Sequence, residues 1–142
     1  VVKLLARWEA SDGLLLRLTE AEAALKMPAA SKHAQMMEDR FDAARLRGDT
    51  THRAEEARFR LRLRNDARGA VRLALDNYRV QREPRDARIL LEAAIAAGDS
   101  AAAQMARDWL ASSGFEDIRL RQLGDASAQV RPAVQSTREA AK

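Results

Sequence analysis

Cysteine is absent from this sequence, and proline, glycine and aromatic residues are scarce: its 142 residues include 3 Pro and 6 Gly, and aromatics make up 4%. Without cysteine, disulfides, thiol catalysis and thiolate metal sites are excluded. No apolar run approaches the roughly 20 residues that a membrane-spanning helix needs, so no transmembrane span is predicted. Strand-favouring residues and turn residues are both few, which predicts helices joined by short turns.

The residues that are abundant indicate one helical domain with a mixed charged surface. Hydrophobic residues make up 46% of the chain, mostly Ala and Leu, and the length suits a single domain with a real core. The net charge of +4 comes from 25 basic and 21 acidic residues. Because nucleic-acid binders are usually more one-sided in charge, no nucleic-acid partner is expected.

Apolar residues recur at helical spacing almost throughout the chain. Three dipeptides, Gly48-Asp49, Asn65-Asp66 and Gly98-Asp99, each combine a residue suited to end one helix with a residue suited to cap the next. Together with other stop signals they predict eight helices, at residues 2–10, 13–26, 31–47, 51–64, 67–82, 85–97, 100–113 and 115–123. The alternating stretch from Arg58 to Arg64 would suit an edge strand in isolation, but its flanks continue a helical face.

The chain also resembles itself at a spacing of 33 residues, the distance between Asn65-Asp66 and Gly98-Asp99. A helix that opens with small residues follows each of the two dipeptides. Residues 66–117 are similar to tetratricopeptide repeats at a set of small and apolar positions: Ala87, Leu90, Leu91, Ala94, Ala103, Met105, Ala106, Trp109 and Leu110. Degenerate repeats from Gly13 to Arg47 and from Thr51 to Arg82 extend the resemblance to about three quarters of the chain.

This resemblance implies an all-α fold, a right-handed superhelical stack of antiparallel helix pairs with about seven or eight helices. The expected repeat domain covers residues 1–124, and residues 125–142 are expected to form a flexible or partner-held tail. Proteins of the resembling family bind peptides or proteins on a concave helical surface. The resemblance therefore implies a non-enzymatic scaffold for protein interactions.

A basic stretch supplies the candidate binding residues. From Arg58 to Arg88 the chain has ten Arg and four acidic residues. We expect Arg58, Arg62 and Arg88, with Glu92 one turn later, to line a groove that holds acidic side chains or a carboxylate. A solvated helix face without a ligand and a phosphate-binding surface are the alternatives.

No catalytic residue, metal ligand or cofactor is predicted. The two histidines, His33 and His52, lie on different predicted helices and are interpreted as solvated surface residues. Adjacent acids such as Glu55 and Glu56 point in different directions on a helix and do not form an acid/base pair. The aromatic residues are expected in the core, except that Trp8 is a candidate for an exposed contact at the end of the stack.

The alternative function is a self-associating structural module, which leaves a homodimer open and makes the basic stretch only a solvated surface. The expected partner is otherwise a protein or peptide. Arginine accounts for 21 of the 25 basic residues and suggests a bacterial source with a GC-rich genome. The chain starts at Val1 rather than Met, and by analogy we favour an exported, periplasmic location over the cytoplasm, with a signal peptide or upstream repeats removed.

Overall fold

All regular secondary structure is helical in residues 1–129, which are the residues that the computed structural model describes. The helices are α1 (Val2–Leu5), α2 (Asp12–Ala24), α3 (Ala29–Leu46), α4 (Arg53–Leu63), α5 (Ala67–Tyr78), α6 (Pro84–Ala97), α7 (Ser100–Ser113) and α8 (Ile118–Ala128). The predicted all-α class is confirmed. The stretch from Arg58 to Arg64 lies largely in α4, as its flanks indicate.

Local side-chain chemistry explains where the helices start. The carboxylates of Asp66, Asp99 and Asp117 each accept a hydrogen bond from the backbone N–H three residues later, at 2.8, 2.9 and 2.8 Å. Each bond satisfies a donor that the first helical turn leaves unpaired. At α6, Glu83 and Asp86 form a reciprocal capping box, with Pro84 in the first turn.

The dipeptides Asn65-Asp66 and Gly98-Asp99 also end the helices that precede them. Asn65 has φ of 52° and Gly98 has φ of 69°, so both residues are left-handed. The two dipeptides that lie 33 residues apart are therefore structurally equivalent, each a left-handed residue followed by a capping aspartate. At Gly48, φ is also positive, but Asp49 accepts from Thr51 instead of capping, and α4 begins only at Arg53.

Three helices end four or five residues away from their predicted ends, and the other bounds shift by at most three residues. The first helix ends at Leu5, and residues 6–11 form turns in place of the predicted continuation to residue 10. α5 ends at Tyr78 and not at residue 82, because residues 79 and 80 form a turn and residues 81–83 lead to the extended Glu83 before Pro84. α8 continues to Ala128, past the predicted domain boundary at residue 124, and Ser127 on it accepts a 2.8 Å hydrogen bond from Arg107. The part of the predicted tail from residue 130 onward lies outside the described residues.

The helices pack in an alternating pattern. α2 packs on α3, α4 on α5, α6 on α7 and α7 on α8, while α2 also contacts α4, α4 contacts α6, and α6 contacts α8. The even-numbered helices therefore form one row, with α3, α5 and α7 packed against it. This even-numbered row carries the candidate site.

Two apolar clusters meet at α4. Phe59 belongs to the cluster formed with α2 and α3, where its ring centre lies 5.4 Å from that of Phe41. Ala57, two residues earlier, belongs to the larger cluster of α4 to α8. Since α4 contributes to both clusters, it joins the two parts of the core.

The small residues of the proposed repeat are buried as their spacing predicts. Ala87, Ala94, Ala103 and Ala106 are completely inaccessible to solvent. A methyl side chain at these positions lets the helix backbones approach closely. Among the larger apolar residues of the proposed repeat, Trp109 and Leu110 are only partly buried and Met105 is exposed.

Candidate functional site

A groove lined by arginine runs across the even-numbered row. Its volume is about 430 Å³, and residues of α2, α4, α6 and the start of α8 line it. The charged residues of this basic groove are five arginines and two acids: Arg17, Arg58, Arg85, Arg88, Arg119, Glu92 and Asp117. Positive charge is therefore in excess, although the protein surface as a whole is mixed.

The first wall of the basic groove is organised by Glu20 on α2. Arg58 on α4 donates two hydrogen bonds to its carboxylate, Nε to Oε1 at 2.5 Å and Nη2 to Oε2 at 2.9 Å. Arg17, one turn before Glu20, places Nη1 3.6 Å from Oε2. One carboxylate thus faces two guanidinium groups, and this unit keeps a net positive charge.

The second wall repeats this arrangement around Glu92 on α6. Its carboxylate accepts from Arg88 Nε at 3.0 Å and lies 2.8 Å from Arg62 Nη2 on α4. The Glu92 side chain is 9% exposed, whereas Arg62 and Arg88 are 49% and 44% exposed. Burial alone would raise the pKa of the Glu92 carboxyl, but the hydrogen bonds from Arg88 and Arg62 outweigh burial and lower it. Glu92 therefore holds two arginine side chains that remain about half-exposed.

The remaining arginines of the basic groove are less constrained. Arg85 is 60% exposed, and its nearest carboxylate oxygens, from Glu83, Asp86 and Glu55, lie at 3.3 to 3.8 Å. Arg119 forms no ion pair within residues 1–129. The Asp117 carboxylate already accepts from the backbone of Leu120. Exposed guanidinium groups of this kind are suited to bind an additional anion.

This geometry supports recognition of carboxylates through guanidinium forks. A guanidinium group presents five N–H donors in a plane, and a carboxylate can accept two of them side by side. The carboxylate oxygens of Glu20 and Glu92 accept hydrogen bonds from arginines or lie against them, and these contacts orient the guanidinium groups. The chemical capacity of the basic groove is therefore anion binding.

The structure brings the four candidate binding residues together. Arg58, Arg88 and Glu92 line the basic groove, and Arg62 is held to Glu92 at its border. Sequence reasoning missed Arg17, on α2. It also missed Arg119, on α8, and did not single out Arg85, on α6. Arg17 and Arg119 lie outside the arginine-rich stretch from Arg58 to Arg88, and only packing of the even-numbered row places them here.

Trp8 lies in the turns after α1 and is half-exposed. Val1 and Leu4, on the same short segment, are also exposed. Trp8 does not line the basic groove. It remains a candidate for a separate contact at this end of the chain.

The interpretation of His33 as a solvated surface residue is wrong. His33 is buried on α3, with Nδ1 2.6 Å from Glu22 Oε2 and Nε2 3.4 Å from Glu9 Oε1. The two carboxylates lie on opposite sides of the ring and do not converge on a point where a metal ion could sit. This histidine is buried because α2, α3 and the turn before Ser11 pack around it. The polar residues next to His33 in the sequence give no sign of that burial.

Within residues 1–129, no group of three or more His, Cys, Asp or Glu side chains could hold a metal ion. In the same residues no helix has the length and apolarity that crossing a bilayer requires. The chain matches no protein-family model, no curated protein and no solved structure.

Proposed function

We propose that this chain is a non-enzymatic binding protein whose basic groove holds an acidic segment of a partner protein. The observation that carries the proposal is the convergence of five arginines from four helices on one groove that contains only two acids. Arg17, Arg58 and Arg88 are already oriented by Glu20 and Glu92, so an incoming carboxylate does not have to order these three side chains itself.

The proposed architecture behind this function is a right-handed superhelical stack of antiparallel helix pairs resembling tetratricopeptide repeats. Two observations support it: the row of contacts between even-numbered helices, and the equivalent helix ends at Asn65-Asp66 and Gly98-Asp99. In such a stack one helix of each pair faces the concave side. The basic groove would then occupy that concave side.

Carboxylates are favoured over nucleic-acid phosphates as the ligand. Phe59 and Tyr78, the aromatic residues within the basic stretch from Arg58 to Arg88, are buried and offer no ring for base stacking. Glu92 and Asp117 within the groove would also repel a phosphate backbone, which carries closely spaced charges. The carboxylates of a protein segment sit on flexible side chains and can point away from those two acids, which backbone phosphates cannot.

A ligand comparison tests the proposal. We expect a fluorescently labelled peptide rich in Glu to bind, and peptides of the same length rich in Lys or Ser not to bind, in a fluorescence anisotropy titration. An oligonucleotide of equal charge serves as the competitor. If the oligonucleotide binds more tightly than the Glu-rich peptide, the ligand is a nucleic acid and the proposed function is wrong.

The second candidate function is self-association, which the exposure of Trp8 favours. Trp8 is 50% exposed and has two exposed apolar neighbours, Val1 and Leu4. Light scattering over a range of concentrations tests it. A stable dimer that Trp8→Ser converts to a monomer would support self-association, whereas a monomer at every concentration would refute it.

A further inference from the structure

A second groove, largely apolar, adjoins the basic groove on the even-numbered row. It has a volume of about 420 Å³ and lies between the later parts of α4, α6 and α8. Its apolar residues are Leu61, Ile95, Ala96 and Leu123. We call it the apolar groove.

The two grooves border on each other at Glu92, which lines both. Arg62, which lines the apolar groove, is paired with Glu92 at that border. On α6, Arg88 lies on the basic side of Glu92 and Ile95 on the apolar side. A ligand that leaves the basic groove past Glu92 therefore reaches aliphatic side chains.

The same order holds on the neighbouring helices. On α4 the basic groove uses Arg58 and the apolar groove uses Leu61. On α8 the corresponding residues are Arg119 and Leu123. On all three helices an arginine of the basic groove precedes an aliphatic residue of the apolar groove, so a cationic groove adjoins a largely aliphatic one, with Arg62 at their border.

We propose that the partner segment carries a large aliphatic side chain close to its acidic residues, and that this side chain occupies the apolar groove. The inference rests on the proposed function, because the acidic residues must first be held in the basic groove. Charge complementarity with the basic groove requires acidic residues in the ligand. The adjoining apolar groove favours an aliphatic side chain next to them.

The helix geometry sets the spacing within the ligand. Arg88 and Ile95 are separated by seven residues of helix, which at about 1.5 Å per residue is roughly 10 Å. An extended peptide covers about 3.3 Å per residue, so roughly three residues of ligand bridge that distance. A ligand with a carboxylate and an aliphatic side chain about three positions apart therefore fits both grooves.

Three peptides of equal charge test this inference. One carries a pair of Glu among Ala and Ser only, and the others add one Leu three positions after or three positions before the pair. We expect one of the two Leu peptides to bind about tenfold more tightly than the peptide without Leu, since burial of most of a Leu side chain contributes about that factor.

A matched pair of variants locates the effect. Ala96 is exposed in the apolar groove, and Ala101 is exposed on α7 outside both grooves. Ala96→Gln should reduce the advantage of the Leu peptide to about twofold and leave the peptide without Leu unchanged, whereas Ala101→Gln should alter neither.

Failure of the inference is distinct from failure of the proposed function. If all three peptides bind equally, or if Ala96→Gln leaves the Leu advantage intact, the apolar groove is not the site of the aliphatic contact. If none of the three binds, the basic groove does not hold acidic segments and the proposed function itself is wrong.

Discussion

Arg58 on α4 donates two hydrogen bonds to the carboxylate of Glu20 on α2, although the two residues are 38 positions apart in the chain. Both side chains are mostly buried, at 26% and 17% exposure. The contact therefore ties the first helix pair to the second and also fixes the direction of a groove arginine. One ion pair serves stability and binding together.

Removing the charge of Glu20 should therefore weaken the fold. We expect Glu20→Gln to lower the free energy of unfolding by about 1 to 2 kcal/mol, since a partly buried bond between charged groups contributes roughly that amount. Urea denaturation measures it. Glu116→Gln is the control, because Glu116 is 84% exposed and its contact with Arg121 should contribute almost nothing. Equal stability of the two variants would show that the Arg58 contact does not hold the helix pairs together.

The lowered pKa of Glu92 predicts a dependence of stability on pH. The folded state holds the pKa below the usual value of 4.5, so the unfolded chain binds the proton more readily. The stabilisation is therefore present above about pH 4.5 and is lost as the pH falls through the folded pKa. At pH 7 we expect Glu92→Gln to cost about 1 kcal/mol, a value reduced because Arg62 and Arg88 are half-exposed.

The measurement is the difference in unfolding free energy between the wild type and Glu92→Gln at a series of pH values. The difference should shrink as the pH is lowered below 4.5. A constant difference down to pH 3 would mean that the pairing with Arg62 and Arg88 does not depend on the charge of Glu92.

Tyr78 allows a different prediction, because its buried hydroxyl has no hydrogen-bond partner among residues 1–129. Removing an unsatisfied polar atom does not break a bond, so Tyr78→Phe should be neutral or should stabilise the protein by up to about 1 kcal/mol. Tyr78→Ala should cost about 3 kcal/mol, since it empties the space of a large core ring. A loss of more than about 1 kcal/mol in Tyr78→Phe would contradict this account.

The ionisation of the same residue can be followed directly. Burial raises the pKa of Tyr78 to about 12, and it is the only tyrosine in the chain. Stability from the neutral phenol is complete below pH 10 and declines as the pH rises toward 12. The ultraviolet absorbance of phenolate should therefore stay low at pH 11 in the folded protein and rise in urea. Equal absorbance in both conditions would show that the phenol is solvated.

Close approach of α7 to its neighbours depends on Ala103. Its side chain is completely buried, so Ala103→Leu should destabilise the protein by about 1 to 3 kcal/mol through overpacking. Ala101→Leu places the same side chain on the exposed face of α7 and should have little effect. Thermal unfolding compares the two. Similar melting temperatures would remove the physical reason for the small residues in the proposed repeat.

Much of the fold could be predicted from the sequence because its determinants are local. The helix ends at Asn65 and Gly98 follow from left-handed residues next to capping aspartates, and those signals lie within a few residues of the ends they set. The burial of Ala94 and Ala103 follows from helical spacing alone.

The remaining features depend on contacts between distant segments. His33 is buried by Glu22 from another helix and by Glu9 from a turn, a pairing that no local pattern encodes. Arg17 and Arg119 enter the basic groove only because α2 and α8 lie in the same row as α4 and α6. The sequence indicated Arg58, Arg62 and Arg88, which lie in the arginine-rich stretch of α4 and α6, and missed Arg17 and Arg119, which lie outside it.

The central claim is that the basic groove holds acidic protein segments, and one matched pair of variants on α8 tests it most directly. Arg119 lines the groove, whereas Arg121, two residues later, is exposed and outside it. Titration of a labelled Glu-rich peptide by fluorescence anisotropy should show that Arg119→Glu weakens binding about tenfold, with a smaller loss at high salt, while Arg121→Glu changes it less than about threefold. Equal weakening by both variants would mean that general surface charge, and not this groove, attracts the peptide.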